Sequence, residues 1–338
     1  MNNLTEILDQ DELESIKHLR DTIWTFVFPV FCFVGSLTNL VTIYVFVHVQ
    51  FRRNNVHRLM LAYSVADFFY LTIGSFAFVF KCGSLCDLDK SFTAQVYGYI
   101  FIDYITSVLA IFNILIEVFL SMQRYLIIIN KKYKMFNMHT NNTLLIILCV
   151  SLVYYLPIFF SKTIIQKEEI VHHFPKNQTY EETNRTVYML EPNEFGKSFL
   201  GKGIIVTLAA IRNLVLLNLI IVFSLLTLYE FRKYIVKKAR MKRSQQTPPE
   251  FKANRNITLT VVSVSFVFII GHVPYAIAFV ISIVNADYLP YSLICYRIFC
   301  FLMLFIAHSF NIVIFYFSNR LFRNILNNMF RSIWKCRK

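Results

Sequence analysis

TSVLAIFNILIEVFLSMQRY, residues 106–125, contains 20 residues, most of them apolar, with polar side chains spaced along the run. At about 1.5 Å per residue such a helix crosses a hydrocarbon core of about 30 Å. Thr106, Asn113, Glu117 and Arg124 follow one another at steps of seven, four and seven residues, which places them on one helical face. An ionisable group in hydrocarbon costs at least about 2.5 kcal/mol, so this face turns away from lipid and toward other helices. The stretch therefore requires partner helices that are also embedded in the membrane.

Six further apolar runs supply them. Together with the third, near 95–123, the predicted spans lie near 23–47, 59–80, 142–161, 203–229, 257–283 and 292–318. The chain is 56% hydrophobic and 17% aromatic, with a mean hydropathy of +0.52, more apolar than a soluble domain of 338 residues. The fold class predicted is an all-α membrane protein, a seven-transmembrane helix bundle followed by a short amphipathic eighth helix. Residues 1–22 form an N-terminal tail, 23–318 the bundle, and 319–338 the amphipathic helix and tail.

The loops differ in charge. One set holds Arg52, Arg53 and Arg58, then Arg124, Lys131, Lys132 and Lys134, then the run from Arg232 to Arg255, and finally Arg320, Arg323, Arg331, Lys335, Arg337 and Lys338. The other set reads as mildly acidic, with Glu6, Asp9, Asp11, Glu12, Glu14 and Asp21 ahead of the first span and six glutamates between the fourth and fifth. Lys and Arg stay on the cytoplasmic face during insertion, so the N-terminus is expected outside a plasma membrane and the C-terminus inside. The net charge of +14 is then a topology signal that also meets anionic lipids, and no nucleic-acid partner is expected. Asn3, Asn177 and Asn184 stand in acceptor sequons on the outer side, where glycosylation is expected.

Residues 1–22 lack the apolar core of a cleaved signal peptide. No repeat of the two halves is visible, which counts against an inverted-repeat transporter. With 8 Gly, no phosphate-cradling loop and no grouped Ser, His and Asp, nothing in the chain suggests catalysis, and no enzyme activity is expected. The seven cysteines show no metal-ligand spacing. Cys82 and Cys86 are either a local disulfide in the oxidising exterior or two thiols at a helix end. Cys336, after an amphipathic stretch, is a candidate for palmitoylation.

The polar residues and their order resemble a divergent class A, or rhodopsin-like, G protein-coupled receptor. Gly35-Ser36-Leu37-Thr38-Asn39 resembles GNxxN, and Leu61-Ala62-Tyr63-Ser64-Val65-Ala66-Asp67 resembles LAxxD with one residue of difference. Gln123-Arg124-Tyr125 stands where DRY is expected, Pro274 in Gly271-His272-Val273-Pro274 where CWxP is expected, and Asn311-Ile312-Val313-Ile314-Phe315 where NPxxY is expected. The resemblance implies a ligand-operated switch. Arg124 and Tyr125 would meet a heterotrimeric G protein, His272 and Pro274 would form the activation hinge, and Asn39, Asp67, Asn113, Glu117 and Asn311 the polar switch. That polar set suits either a hydrated sodium ion acting allosterically or a network of water, since hard cations take oxygen ligands. No other cofactor or metal is expected.

Departures from the family pattern carry their own expectations. Gln123 replaces the acid that restrains the arginine, and Asn254 or Asn256 stands about where a glutamate would close an ionic lock, so elevated basal activity is expected. Tyr99 stands where the family's third-helix cysteine would be, and residues 162–202 contain no Cys, so the usual bridge cannot form. Thr106 replaces the aspartate that binds amines in similar receptors, so a monoamine ligand is not expected. A peptide is expected instead, of the kind bound by invertebrate FMRFamide-like receptors, with Asp103 as a contact for its Arg or Lys or else paired within the bundle. The alternatives are a divergent chemosensory seven-span receptor and, further off, a small transporter.

Overall fold

In a computed structural model the described residues are 14–48, 55–129, 140–173, 181–241, 249–284 and 291–335. The main helices are α1 (Glu14–Val47), α2 (Asn55–Ser75), α3 (Phe92–Ile128) and α4 (Thr140–Phe159), then α5 (Phe199–Val236), α6 (Pro249–Val284), α7 (Tyr291–Ser309), α8 (Asn311–Ser318) and α9 (Arg320–Lys335). Five of these are long and apolar enough to cross a membrane, or six if the pair α7 and α8, bent by 43°, is one span. The helix α2 makes a further span by position, its apolar run broken by Arg58 and Asp67.

Large apolar side chains remain uncovered along these helices: Val30 is 63% exposed, Leu145 61%, Leu225 61% and Phe266 63%. In water such surface would drive association. On helices of this length and composition it is the surface that meets acyl chains, and it confirms the membrane reading of the hydropathy.

Two compact units divide the chain. One comprises 1–30, 73–108 and 152–208; the other comprises 31–72, 109–151 and 209–338.

The first unit gathers the segments whose charge reads as extracellular. Its main feature is a β-hairpin, β1 (Lys162–His173) against β2 (Glu181–Pro192), antiparallel in the register Lys162↔Pro192 through His173↔Glu181. The segment reads as a long loop in sequence. The β-branched residues Thr163, Ile164, Ile165, Thr186 and Val187 favour the pleated conformation, and Glu169 faces Arg185 across the strands. In the same unit Cys82 and Cys86 are joined in a disulfide. Beside it Gly83 takes the left-handed φ of +55°, with the Asp21 carboxylate where a Cβ would stand.

The second unit holds the largest buried core. Phe46, Phe315 and Phe322 are at most 1% exposed and meet with ring centroids 4.9–5.6 Å apart. Phe315 fills the position at which the resemblance expects a tyrosine, and its ring packs edge-on to Phe46 where a hydroxyl would need a partner. Phe322 starts α9. Asn319 caps that helix by accepting from the Leu321 and Phe322 N–H groups, and Phe322 and Leu326 turn inward at a spacing of four. The amphipathic helix expected at 319–333 therefore runs over Arg320–Lys335.

Gly271 lies in α6 three residues before Pro274. A Cβ added there would stand 2.5 Å from the Ala307 Cβ of α7 and 3.2 Å from the Met303 carbonyl oxygen. Neither neighbour has a rotatable end that moves aside. Gly271→Ala is therefore expected to destabilise the protein by about 1–3 kcal/mol through overpacking, seen as a lower Tm of the purified protein. Adding Ala307→Gly is expected to restore most of the loss; a double variant as unstable as the single one would show that the contact is not the cause.

Candidate functional site

The centre of the second unit is polar. Asp67, Asn39, Asn113 and Glu117 are all 0% exposed, His308 1% and Asn311 2%. A carboxylate at this depth survives only if its oxygens are hydrogen-bonded. Asp67 meets that condition from three helices besides its own. Its Oδ1 accepts from Asn113 Nδ2 of α3 at 2.5 Å and faces His308 Nδ1 of α7 at 2.7 Å; its Oδ2 accepts from Asn311 Nδ2 of α8 at 2.5 Å. Asn39 on α1 completes the set. Its amide donates to the Gly35 and His308 carbonyl oxygens, both at 3.0 Å, and its Oδ1 accepts from Asn311 at 3.4 Å.

Four of the sequence-predicted residues thus meet at one point, and His308 joins them unpredicted. Its signal was present: it lies three residues before Asn311, close on the same helical face. The break at Phe310 between α7 and α8 keeps both side chains directed at Asp67, with the Asn311 amide also donating to the His308 carbonyl at 3.3 Å.

Sodium binding needs oxygen lone pairs aimed at the ion. Around Asp67 the arrangement is the opposite, because three N–H-bearing groups converge on the carboxylate and fill three of its about four acceptor sites. This donor shell does not fit a sodium ion.

Glu117 stands apart from the shell. Ser265 Oγ of α6 donates to its Oε1 and lies 3.1 Å from Ser121 Oγ, while its Oε2 is buried without a hydrogen-bond partner. Serines at 121 and 265 were not singled out in the sequence, since small hydroxyls within apolar spans look like ordinary packing residues.

His272 and Pro274 lie on α6. The His272 ring stacks on Phe268, centroids 3.6 Å apart, and meets the His308 ring edge-on at 5.6 Å. Its Nδ1 bonds the Phe268 carbonyl at 2.9 Å, and Tyr296 of α7 donates to the Pro274 carbonyl at 3.3 Å. His272 thereby reaches Asp67 through a single intervening imidazole, that of His308. On α5, Arg212 donates to Asn213 and lies over the Tyr275 ring.

At the far end of α3, Arg124 is 3% exposed and Gln123 9%. Among the described residues no carboxylate forms an ion pair with Arg124, and its Nε has no hydrogen-bond partner. Tyr125 is half-buried, its ring 6.3 Å from Phe223.

The first unit holds the residues predicted for ligand contact. Asp103 is ion-paired with Lys162, at the start of β1, at 2.6 Å. Thr106 turns its hydroxyl back to the Ile102 carbonyl of its own helix. Tyr99 donates to the Phe159 carbonyl and stacks on that ring at 4.8 Å. The hairpin is tied down by Lys90–Glu169 at 2.7 Å and Arg185–Asp87 at 3.0 Å, and braced internally by Lys167–Glu191 at 2.5 Å. Between 162 and 202 six acids are matched by six bases, so this segment is electrically balanced rather than mildly acidic; the outer acid surplus belongs to residues 1–22, with six acids and two bases. Asn3, Asn177 and Cys336 lie outside the described residues, and Asn184 is placed only as a strand position.

The family model described as serpentine type 7TM GPCR chemoreceptor Srw matches residues 25–332. No curated protein matches the chain. The family's seven-transmembrane receptor fold accounts for the apolar helices, with α2 among the seven spans.

The hydrogen bond and charge of Arg185 hold the Asp87 carboxyl below the ordinary carboxylate range, and Lys167 does the same for Glu191. Groups whose pKa is lowered on folding stabilise above their unfolded pKa, and that contribution is lost as the pH falls through the folded value. A spin label at Met189→Cys should therefore keep constant mobility from pH 7 down to about 4 and loosen below it. A label equally immobile at pH 3 would mean that these pairs do not hold the hairpin.

Proposed function

We propose that this chain, a member of the serpentine 7TM GPCR chemoreceptor Srw family, is a plasma-membrane receptor, N-terminus outside, that converts binding of an extracellular peptide into activation of a heterotrimeric G protein. The observation that carries the coupling half of this reading is Arg124. A guanidinium buried to 3% at the end of a polar helical face, in no ion pair among the described residues, is costly to leave without a partner. A partner that inserts backbone carbonyls at this end would satisfy it. With Gln123 where the rhodopsin-like pattern has an acid, little opposes that engagement, and a raised basal activity follows.

Three features support a peptide. Thr106 offers no acid to an ammonium and has turned its hydroxyl to its own helix. Asp103 is partly exposed and paired with Lys162, whose place a basic side chain of a ligand would take by exchange of like for like. The surplus acids of residues 1–22 give a cationic ligand a favourable approach. The resemblance to FMRFamide-like receptors agrees with this, and the polar switch and hinge residues retain the class A order. A second reading, reception of a small external chemical cue, is favoured by the chemoreceptor description of the matched family. That match also speaks for a receptor over a transporter.

The test is a cell reporter with a promiscuous G protein, challenged with a library of basic amidated peptides and, in parallel, with small organic cues. A peptide response that Arg124→Ala abolishes while surface expression persists is the expected result; a response to small cues alone would decide for the second reading. In the same cells Gln123→Glu is expected to lower ligand-independent signalling several-fold, and basal signalling equal to that of untransfected membranes would remove the unrestrained-arginine reading.

A further inference from the structure

The geometry points to His308 as the chain's own occupant of the place a monovalent cation would take beside Asp67, and we propose that this receptor is consequently indifferent to sodium. The inference rests on placement. His308 Nδ1 lies 2.7 Å from Asp67 Oδ1 at 1% exposure, and one proton lies between the two atoms whichever of them carries it. Asn113 Nδ2 takes the same oxygen and Asn311 Nδ2 the other. A metal ion entering here would have to break an N–H contact on each carboxylate oxygen it ligated and would find no room where the imidazole stands.

Three aromatic rings flank the imidazole. Tyr70 of α2 lies 4.8 Å away by ring centroid, His272 of α6 5.6 Å away and Phe268 6.4 Å away, and the His308 carbonyl accepts from both Asn39 and Asn311. It is not a side chain that swings out to admit an ion.

The same geometry says what lies beneath the imidazole. Asn113 Oδ1 is buried with no hydrogen-bond partner, and Asn39 Oδ1 is reached only by the 3.4 Å contact from Asn311. Both oxygens, with Asp67 Oδ1, are the kind of hard ligand sodium takes. Removing the ring frees one acceptor position on Asp67 Oδ1, the other still taken by Asn113, opens its volume to ion and water, and leaves two amide oxygens available. The inference therefore has a positive arm: a His308 variant gains a site that the native chain lacks.

The experiment needs neither ligand nor G protein, so it stands apart from the signalling proposal and fails independently of it. Thermal unfolding of the purified receptor is measured in sodium chloride and in choline chloride at matched ionic strength, choline being too large for the pocket. The native chain is expected to show no difference between the salts. His308→Ala is expected to gain a sodium-specific, saturable rise in Tm of several degrees, abolished in the His308→Ala, Asp67→Asn double variant. His308→Ser, whose hydroxyl serves the freed carboxylate, gives the same readout if the alanine variant does not fold. A saturable sodium-specific rise in the native chain that Asp67→Asn removes would overturn the proposal. So would folded His308 variants that remain blind to sodium.

Discussion

A carboxylate sealed from water dictates the arrangement of the larger unit. Left alone, Asp67 would carry an ionic desolvation penalty of several kcal/mol, and no residue on its own helix relieves it. Relief comes from Asn113, His308 and Asn311, which means that α3, α7 and α8 must all be brought to within hydrogen-bonding distance of α2. Asn39 then draws in α1 through the His308 carbonyl. The apolar core around Phe46, Phe315 and Phe322 supplies packing, but packing alone tolerates a sliding register. Directional bonds to one buried acid do not, so the polar cluster sets which residues face one another and the core fills in around it.

Where hydrophobicity and helical repeat decide the outcome, the sequence was a good guide. The spans near 95–123 and 257–283 lie inside helices that begin a few residues earlier, because Ser91 caps the N-terminus of α3 and polar turns continue α6 past the hydrocarbon limit. Asn39, Asp67, Asn113 and Asn311 converge because each is a polar residue that lipid would penalise. His308 escaped notice, since histidine is tolerated both in cores and at interfaces and its pairing partner lies 241 positions away. The β-hairpin was hidden for a related reason: a strand is stabilised by its cross-strand neighbours, and register cannot be read from one strand alone. Its charges likewise read as a steering field only until Glu169, Arg185, Lys167 and Glu191 are placed beside their counter-ions.

The departures from the rhodopsin-like pattern also have a common physical sense. Phe315 exchanges a hydroxyl for edge-on aromatic packing, and Gln123 exchanges a charge for a neutral amide. His272 exchanges an indole for a smaller ring stacked on Phe268. Each change alters the polarity or size of one contact without altering its place in the helix. A helical framework with the same spacing can therefore hold a differently biased switch.

The contact of Gly271 with Ala307 extends this point to motion. Most helix pairs mesh like gear teeth, and turning one requires lifting its side chains over those of its neighbour. Here, three residues before a proline, α6 meets α7 with no tooth on one side and a single methyl on the other. That patch is a smooth bearing between the two helices, with the contact of the His272 and His308 rings beside it.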